Sequence, residues 1–313
     1  MLDLKKAFDT VNHSILIGKL RKFNLDETCI KWFESYLSDR THCTSINGIT
    51  SDEADCQCGI PQGSILGPLL FIAYINDLPQ HVSKNTTVSM YADDTAMYTI
   101  CNNVNDLNRI LNNDLCNVNK WLARNKLSLN VAKTELIILG SWQRLSKIDD
   151  NDVNVQITGT KLKRVKSCKH LGFIIDENLS WNDHVNQIVK KAASSLYMLR
   201  RASAIVPKNI QCMLYNSILA PHFDYADTVW GTCNTSSRQK VQKLQNRAAK
   251  IITGRSWFDS STEALRDLKW NNLSDRYHFH LATSIYKVMN DLASNYLASR
   301  FNVKKLGLHT QRI

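Results

Sequence analysis

Tyr91-Ala92-Asp93-Asp94 sets two adjacent carboxylates between short apolar runs, with Val88 and Met90 before it and Ala96, Met97 and Tyr98 after it. Apolar residues alternating with a period of two read as strands, and the Asp-Asp-Thr between them reads as a tight turn, so this segment predicts a β-hairpin with an acidic tip. Carboxylates side by side repel each other unless a cation lies beside them. Hard divalent cations take oxygen ligands, and Mg2+ takes one or two protein carboxylates together with substrate phosphates. The tip therefore points to a metal site for phosphoryl chemistry. An ordinary polar turn is the plainer alternative, because Asp is a common turn residue.

The rest of the chain bounds what such a hairpin belongs to. Its 313 residues fit one large domain or two smaller ones, and a hydrophobic share of 43% supports a real core and excludes a disordered chain. A net charge of +11, from 39 Lys+Arg against 28 Asp+Glu, favours a polyanionic partner, nucleic acid first among them. The nine cysteines are scattered. Cys56-Gln57-Cys58 has the wrong spacing for a zinc knuckle or a redox pair, and its thiols read as small apolar fillers on a strand. Reduced cysteines, no apolar leader and no apolar run of membrane-spanning length place the chain inside the cell.

Periodicity gives the organisation. Asp3 ends a strand, and a helix is expected over residues 10–23, with Val11, Ile15, Leu16, Leu20 and Phe23 near one face. Asp26 is a candidate cap for a second helix that buries Ile30, Phe33 and Leu37. Asn47-Gly48 predicts a hairpin between His42–Ile46 and Ile49–Ala54. Gly59 to Gly67 reads as a loop, and Pro68 suits the first turn of a helix running to about Asp77. Leu107, Ile110, Leu111, Val118, Trp121 and Leu122 mark a long amphipathic helix. Strands are expected at Leu136–Leu139, Val153–Ile157 and Leu171–Ile175. Beyond Asp176 the pattern turns helical and basic, with a boundary near residue 178. Val185 to Leu199 forms one helix, Pro207 opens the next, and Gln239–Ile252 is a third, crowded with Arg238, Lys240, Lys243, Arg247, Lys250 and Arg255.

Two more segments carry chemistry. The chain opens on Asp3-Leu4-Lys5-Lys6-Ala7-Phe8-Asp9, and Pro61-Gln62-Gly63-Ser64-Ile65-Leu66-Gly67-Pro68 lies between it and the acidic tip. In that order, these motifs make the chain resemble the reverse transcriptases of non-LTR retrotransposons, close to the jockey-like group. Asn125–Asn130 with Lys133-Thr134, Lys169–Phe173, Leu219-Ala220-Pro221 and Leu244–Ala248 extend the likeness over nearly the whole chain. Group II intron maturases are the nearest alternative enzyme, and the runs from Leu219 to Ala248 favour the retrotransposon.

The resemblance implies an α+β right-hand polymerase palm, an antiparallel sheet with helices on one face, over residues 1–178 including a primer grip. An all-helical thumb and C-terminal extension would follow over 179–313. It implies RNA-directed DNA polymerisation in a nuclear or cytoplasmic ribonucleoprotein, with an RNA template, a DNA primer, deoxynucleoside triphosphates and two Mg2+ ions, Mn2+ being the alternative. Asp3 and Asp93 would be metal ligands, with Asp94 a less direct third and the Leu4 carbonyl a further oxygen. Phe8 would exclude a 2′-hydroxyl, because an apolar plate cannot satisfy a buried hydroxyl; plain core packing is its alternative. Gln62, Gly63, Ser64 and Tyr91 would line the nucleotide site. Lys133 would lie by the triphosphate, or be a solvated lysine. His170-Leu171-Gly172 would grip the primer terminus, or be a packed strand end. Asp9 reads as fixing local structure. Family members carry a fingers segment upstream of the first motif, so a chain starting at Met1 is expected to be truncated there and to polymerise weakly. A non-catalytic nucleic-acid-binding module and a decayed element fragment remain as other classes.

Overall fold

The computed structural model describes residues 1–299. The end of the extension expected over 179–313 lies outside them. The backbone divides into two compact units, Met1–Leu179 and one that begins at Ser180.

The first unit mixes helices with short sheets. Asn12 and Asp26 cap helices His13–Lys22 and Glu27–Leu37, accepting from the Ile15 and Cys29 amides at 3.1 and 2.8 Å. Helix Leu66–Ile75 buries Leu70, Phe71, Tyr74 and Ile75, and helix Val104–Arg124 buries Leu111, Leu115, Val118, Trp121 and Leu122. These side chains share one core with Leu2, Val11, Leu16 and Leu20. The acidic hairpin forms as the alternation predicts: Thr86–Tyr91 pairs antiparallel with Asp94–Thr99. The Asn47-Gly48 hairpin forms too, as Ser45–Ile46 against Ile49–Thr50, with Thr41–His42 and Ala54–Asp55 paired further out.

Several expectations change, among them the Leu171–Ile175 strand, which runs Phe173–Asp176 instead. Of Leu136–Leu139 only Leu136 is strand, within Glu135–Leu136, and its partner Lys163–Arg164 runs parallel, so the sheets are not purely antiparallel. The Val153–Ile157 strand shrinks to Gln156–Ile157. Its extended lead-in bonds instead to two asparagines one turn apart on the long helix. Asn108 and Asn112 accept from the Asn154 and Gln156 amides at 2.9 and 2.8 Å, and their own amides donate to the Asp152 and Asn154 carbonyls at 2.7 and 2.8 Å. The backbone groups of this edge are thus satisfied by side chains in place of a neighbouring strand. Cys56 and Cys58 are not apolar fillers. Cys58 is exposed, both lie in a loop, and their thiols meet polar partners, the His42 ring at 3.1 Å and the Asp9 carbonyl at 3.3 Å. All nine cysteines are free.

The second unit is helical over its described residues. Asn182–Ala202 packs along Thr235–Thr253, and the fully buried Ala192, Ala248 and Ala249 let the helices approach closely. Lys208–Leu214 follows Pro207 and runs through a π-helical turn, Tyr215–Leu219, into Ala220–Asp224. Leu273–Met289 is the last long helix. Among the described residues no helix is long and apolar enough to cross a membrane.

Buried His184 gives this unit a pH signature. Its ring lies 6.4 Å from that of Trp181 and 6.0 Å from that of Trp230. Burial first, then Lys191, holds its pKa below the ordinary histidine value, and His222 is lowered by the same two causes. The unfolded chain therefore binds protons that the folded one does not. Stability is fully present above about pH 6.5 and is lost as pH falls below it. Thermal melting of the helical unit should drop between pH 7.5 and 5; a flat or rising melting temperature over that window would contradict the assignment.

Candidate active site

The site is assembled around residues Met1–Leu4. Leu2 bridges Thr95 of the acidic hairpin and Leu4 bridges Leu129, both antiparallel, so this short segment lies between the hairpin and the chain after the long helix. The bonds are good: the Leu2 amide donates to the Thr95 carbonyl at 2.8 Å, and the Asn130 amide to the Asp3 carbonyl at 2.7 Å. Extending the Leu2–Thr95 register by one residue sets Asp3 level with Asp94, and Tyr91 faces Asp94 from the other strand. Residues directly opposite in an antiparallel pair share a face, with Cβ atoms roughly 5 Å apart. Tyr91 and Asp94 thus share a face of the hairpin, while Asp93 occupies the turn and Asp3 follows the single Leu2–Thr95 bridge. Ala92 turns the chain with φ +52°. A non-glycine residue there is strained by ~1 kcal/mol or more, a cost that concentrates at functional sites.

Asp93 and Asp94 are exposed and Asp3 is half-buried. Among the described residues no cation pairs with any of the three. Nor are their oxygens drawn into one tight cluster: among the described residues, the three metal-ligating side chains that lie within 4.8 Å of one another are Asp224, Asp227 and His280, in the other unit. Lys133 is exposed in the bend from Asn130 to Thr134, whose Thr134 hydroxyl accepts from the Asp3 amide at 3.5 Å. Backbone bonds thus join three separate stretches of sequence, the Met1–Leu4 segment, the acidic hairpin and the Asn130–Thr134 bend.

A second cluster holds the Gln62 loop. Phe8 stacks on Phe71 with ring centroids 4.5 Å apart, and its carbonyl accepts from the Ile60 amide at 2.9 Å. Phe8 is half-buried, and its stacking on Phe71 agrees with the packing alternative. Asp9 fixes the loop, as its position in the sequence suggests. Its carboxylate accepts from the Gln62 side-chain amide at 2.8 Å. Gly59 lies with φ +91° where a Cβ would sit 2.9 Å from the Asp9 carbonyl oxygen. The Ser64 hydroxyl donates to the Pro61 carbonyl at 2.8 Å and accepts from the Gly67 amide at 2.9 Å, anchoring the start of helix Leu66–Ile75. Gly63, at φ +82°, has open space around its α-carbon. His170, Leu171 and Gly172 form a tight hairpin turn between Ser167–His170 and Phe173–Asp176, with φ +46° at Leu171 and +86° at Gly172, the backbone of a two-residue primed turn.

These features have counterparts elsewhere. The reverse transcriptase (RNA-dependent DNA polymerase) family matches residues 1–175, the stretch that holds every element of this site. The chain belongs to that family. It is 28% identical over 308 residues to the probable RNA-directed DNA polymerase from transposon X-element of Drosophila melanogaster, covering 96% of this chain and 33% of that protein. It is 27% identical over 286 residues to the RNA-directed DNA polymerase from mobile element jockey of the same fly, covering 88% of this chain and 30% of that protein. The chain spans about a third of the length of the curated relatives it matches. The jockey-like likeness read from the motifs agrees with both relatives.

The helical unit holds the arrangement that sequence reading missed. Asp227 is buried and its carboxylate lies 2.7 Å from the His280 ring nitrogen; Arg276 clasps Asp224 through two nitrogens beside it. Burial pushes the Asp227 carboxyl above the ordinary value, against the pull of His280. Asp224, Asp227 and Arg276 line a cavity of about 560 Å³ that Phe223, Trp230 and Tyr277 also enclose. Every member of the set is already paired, so it reads as a structural network. Nothing local in the sequence announces it, because His280 lies a whole helix away from Asp224 and Asp227.

Proposed function

We propose that the first unit is the palm of an RNA-directed DNA polymerase, that the helices beginning at Asn182 are its thumb, and that the chain adds deoxynucleotides to a primer 3′-hydroxyl under the direction of an RNA template. The observation that supports this reading is the Leu2–Thr95 bridge, which joins the segment that carries Asp3 to the Asp93–Asp94 hairpin, with no cation paired to any of the three carboxylates among the described residues. Three hard oxygen donors left unneutralised fit a divalent cation of the Mg2+ class, Mn2+ included. Asp3, Asp93 and Asp94 would hold such ions, which would supply positive charge against the charge that develops in phosphoryl transfer.

The other residues position substrate. Asp3, Asp93 and Asp94 hold the ions; Phe8 carries the sugar face; Gln62, in the orientation Asp9 gives it, and the open backbone of Gly63 meet the incoming nucleotide and template. Ser64 sets that loop on its helix. Tyr91 shares the carboxylate face and supports the primer end with the His170–Gly172 turn. Lys133 lies on the triphosphate side, where its ammonium can give a proton to the departing pyrophosphate.

The test is extension of a labelled DNA primer on an RNA template by the 313-residue chain. Slow incorporation that needs template and stops on chelation is expected. Incorporation that survives chelation or needs no template overturns the reading. Tight nucleic-acid binding with no incorporation would favour the second reading, a binding module derived from such an element, for which the net charge of +11 speaks.

A further inference from the structure

Helix Thr235–Thr253 has no acidic residue in its 19 positions, and it carries Arg238, Lys240, Lys243, Arg247 and Lys250. Val241, Leu244, Ala248 and Ile252 face the core. Lys240, Lys243 and Arg247 are exposed, and their spacing puts all three on one face of the helix, with the half-buried Lys250 continuing the row. At ~1.5 Å per residue the row runs about 15 Å. Among the described residues no carboxylate pairs with Lys240, Lys243 or Arg247. A solvated face would give the same charges, so a second feature decides.

That feature is the turn at the end of the row. Gly254 closes the helix at φ +68°. Lys250 then donates to the Trp257 carbonyl at 2.7 Å, the Ser256 amide donates to the Asp259 carboxylate at 2.5 Å, and the Arg247 guanidinium lies 4.8 Å from the centre of a Trp257 ring. Arg255, from the same turn, is directed into Glu263 and Asp267 at 2.7 and 2.8 Å. The turn is built, yet it displays two aromatic rings to solvent, Trp257 at 64% and Phe258 at 93% exposure. Bases in a duplex stack on one another and offer no free face, whereas an unpaired strand offers one per nucleotide to an aromatic platform.

We propose that the row Lys240, Lys243, Arg247 and the Trp257–Phe258 turn form a binding surface for unpaired RNA, with phosphates along the row and a base stacked on the aromatic pair. The choice of RNA rests on the polymerase reading, in which the template is the strand that must be unpaired.

The experiment measures binding of a fluorescent RNA 12-mer, its duplex and the DNA strand of the same sequence by anisotropy. Chelator is present throughout, so the result does not depend on Asp3, Asp93 or Asp94, and a failure of nucleotide incorporation leaves it intact. Phe258→Ser removes a ring that lies almost wholly in solvent, and Trp257→Leu removes the platform itself. Each should weaken single-stranded RNA binding about tenfold, and duplex binding hardly at all. Lys240→Gln with Lys243→Gln should weaken both forms and reduce the salt slope for the single strand by roughly 1.4, at ~0.7 for each phosphate no longer neutralised. Wild-type affinity of Phe258→Ser for the single strand, or equal losses on strand and duplex, overturns the proposal. Tighter binding of the DNA strand than of the RNA overturns the assignment to RNA.

Discussion

Asp93→Ala should lower Mg2+-dependent deoxynucleotide incorporation by about a hundred- to a thousandfold, the loss expected when one preorganised charge is taken from a phosphoryl-transfer site. Asp94→Ala should lose less, because Asp94 is the less direct third carboxylate of the set. Binding of primer–template should be unchanged in both, since phosphate contacts elsewhere carry that affinity. Asp93 is exposed and no cation pairs with it among the described residues, so in metal-free buffer Asp93→Asn should melt no lower than the parent protein. Loss of activity together with unchanged or raised stability separates a metal-holding residue from one that merely supports the hairpin. A variant that keeps a tenth of its activity, or that loses activity only by unfolding, would remove Asp93 from the site.

Much of this arrangement can be read from the residues because its signals are local. The alternation around Tyr91–Asp94, the Asp26 cap and the turn at Asn47-Gly48 all depend on neighbours within a few positions, and each forms where it is expected. Helix Val104–Arg124 follows from the spacing of Leu107, Leu111, Val118 and Leu122. What could not be read is long-range. The Leu2–Thr95 and Leu4–Leu129 bridges are single pairings with no pattern of their own, yet they decide which carboxylates meet. The Asn108–Asn112 ladder replaces a strand that the apolar alternation of Val153, Val155 and Ile157 announces, because a helix surface satisfied the backbone first. Asp9 was legible as a structural residue, while its partner Gln62 was not. The Asp224–Asp227–His280–Arg276 network depends on the packing of three helices and left no trace in any one of them.

The largest structural effect should come from Gly59. Two requirements coincide there. Its φ of +91° lies in the region that side chains avoid, and a Cβ would sit 2.9 Å from the Asp9 carbonyl oxygen and 3.1 Å from the Asp9 α-carbon. Both atoms belong to backbone held in place by the Gly59 amide, which donates to the Val11 carbonyl at 2.8 Å, and by the Ile60 amide, which donates to the Phe8 carbonyl. They cannot give way as a flexible side chain would. Gly63 is the internal control: at φ +82° it has the same conformational need and no neighbour within 4 Å. Gly63→Ala should therefore cost only the conformational strain, ~1 kcal/mol. Gly59→Ala adds the clash and should cost about 3 kcal/mol or more, because relief requires detaching the loop from Phe8 and Asp9. For a unit of this size that difference is a melting temperature lower by roughly 5 °C or more in Gly59→Ala than in Gly63→Ala. Detachment would also free the Gln62 side chain from Asp9, so Gly59→Ala should lose incorporation below its melting transition, chiefly as a raised KM for the nucleotide. Equal melting of the two variants would mean that the Asp9 contact places no constraint on the loop, and the positioning of Gln62 by Asp9 would fall with it.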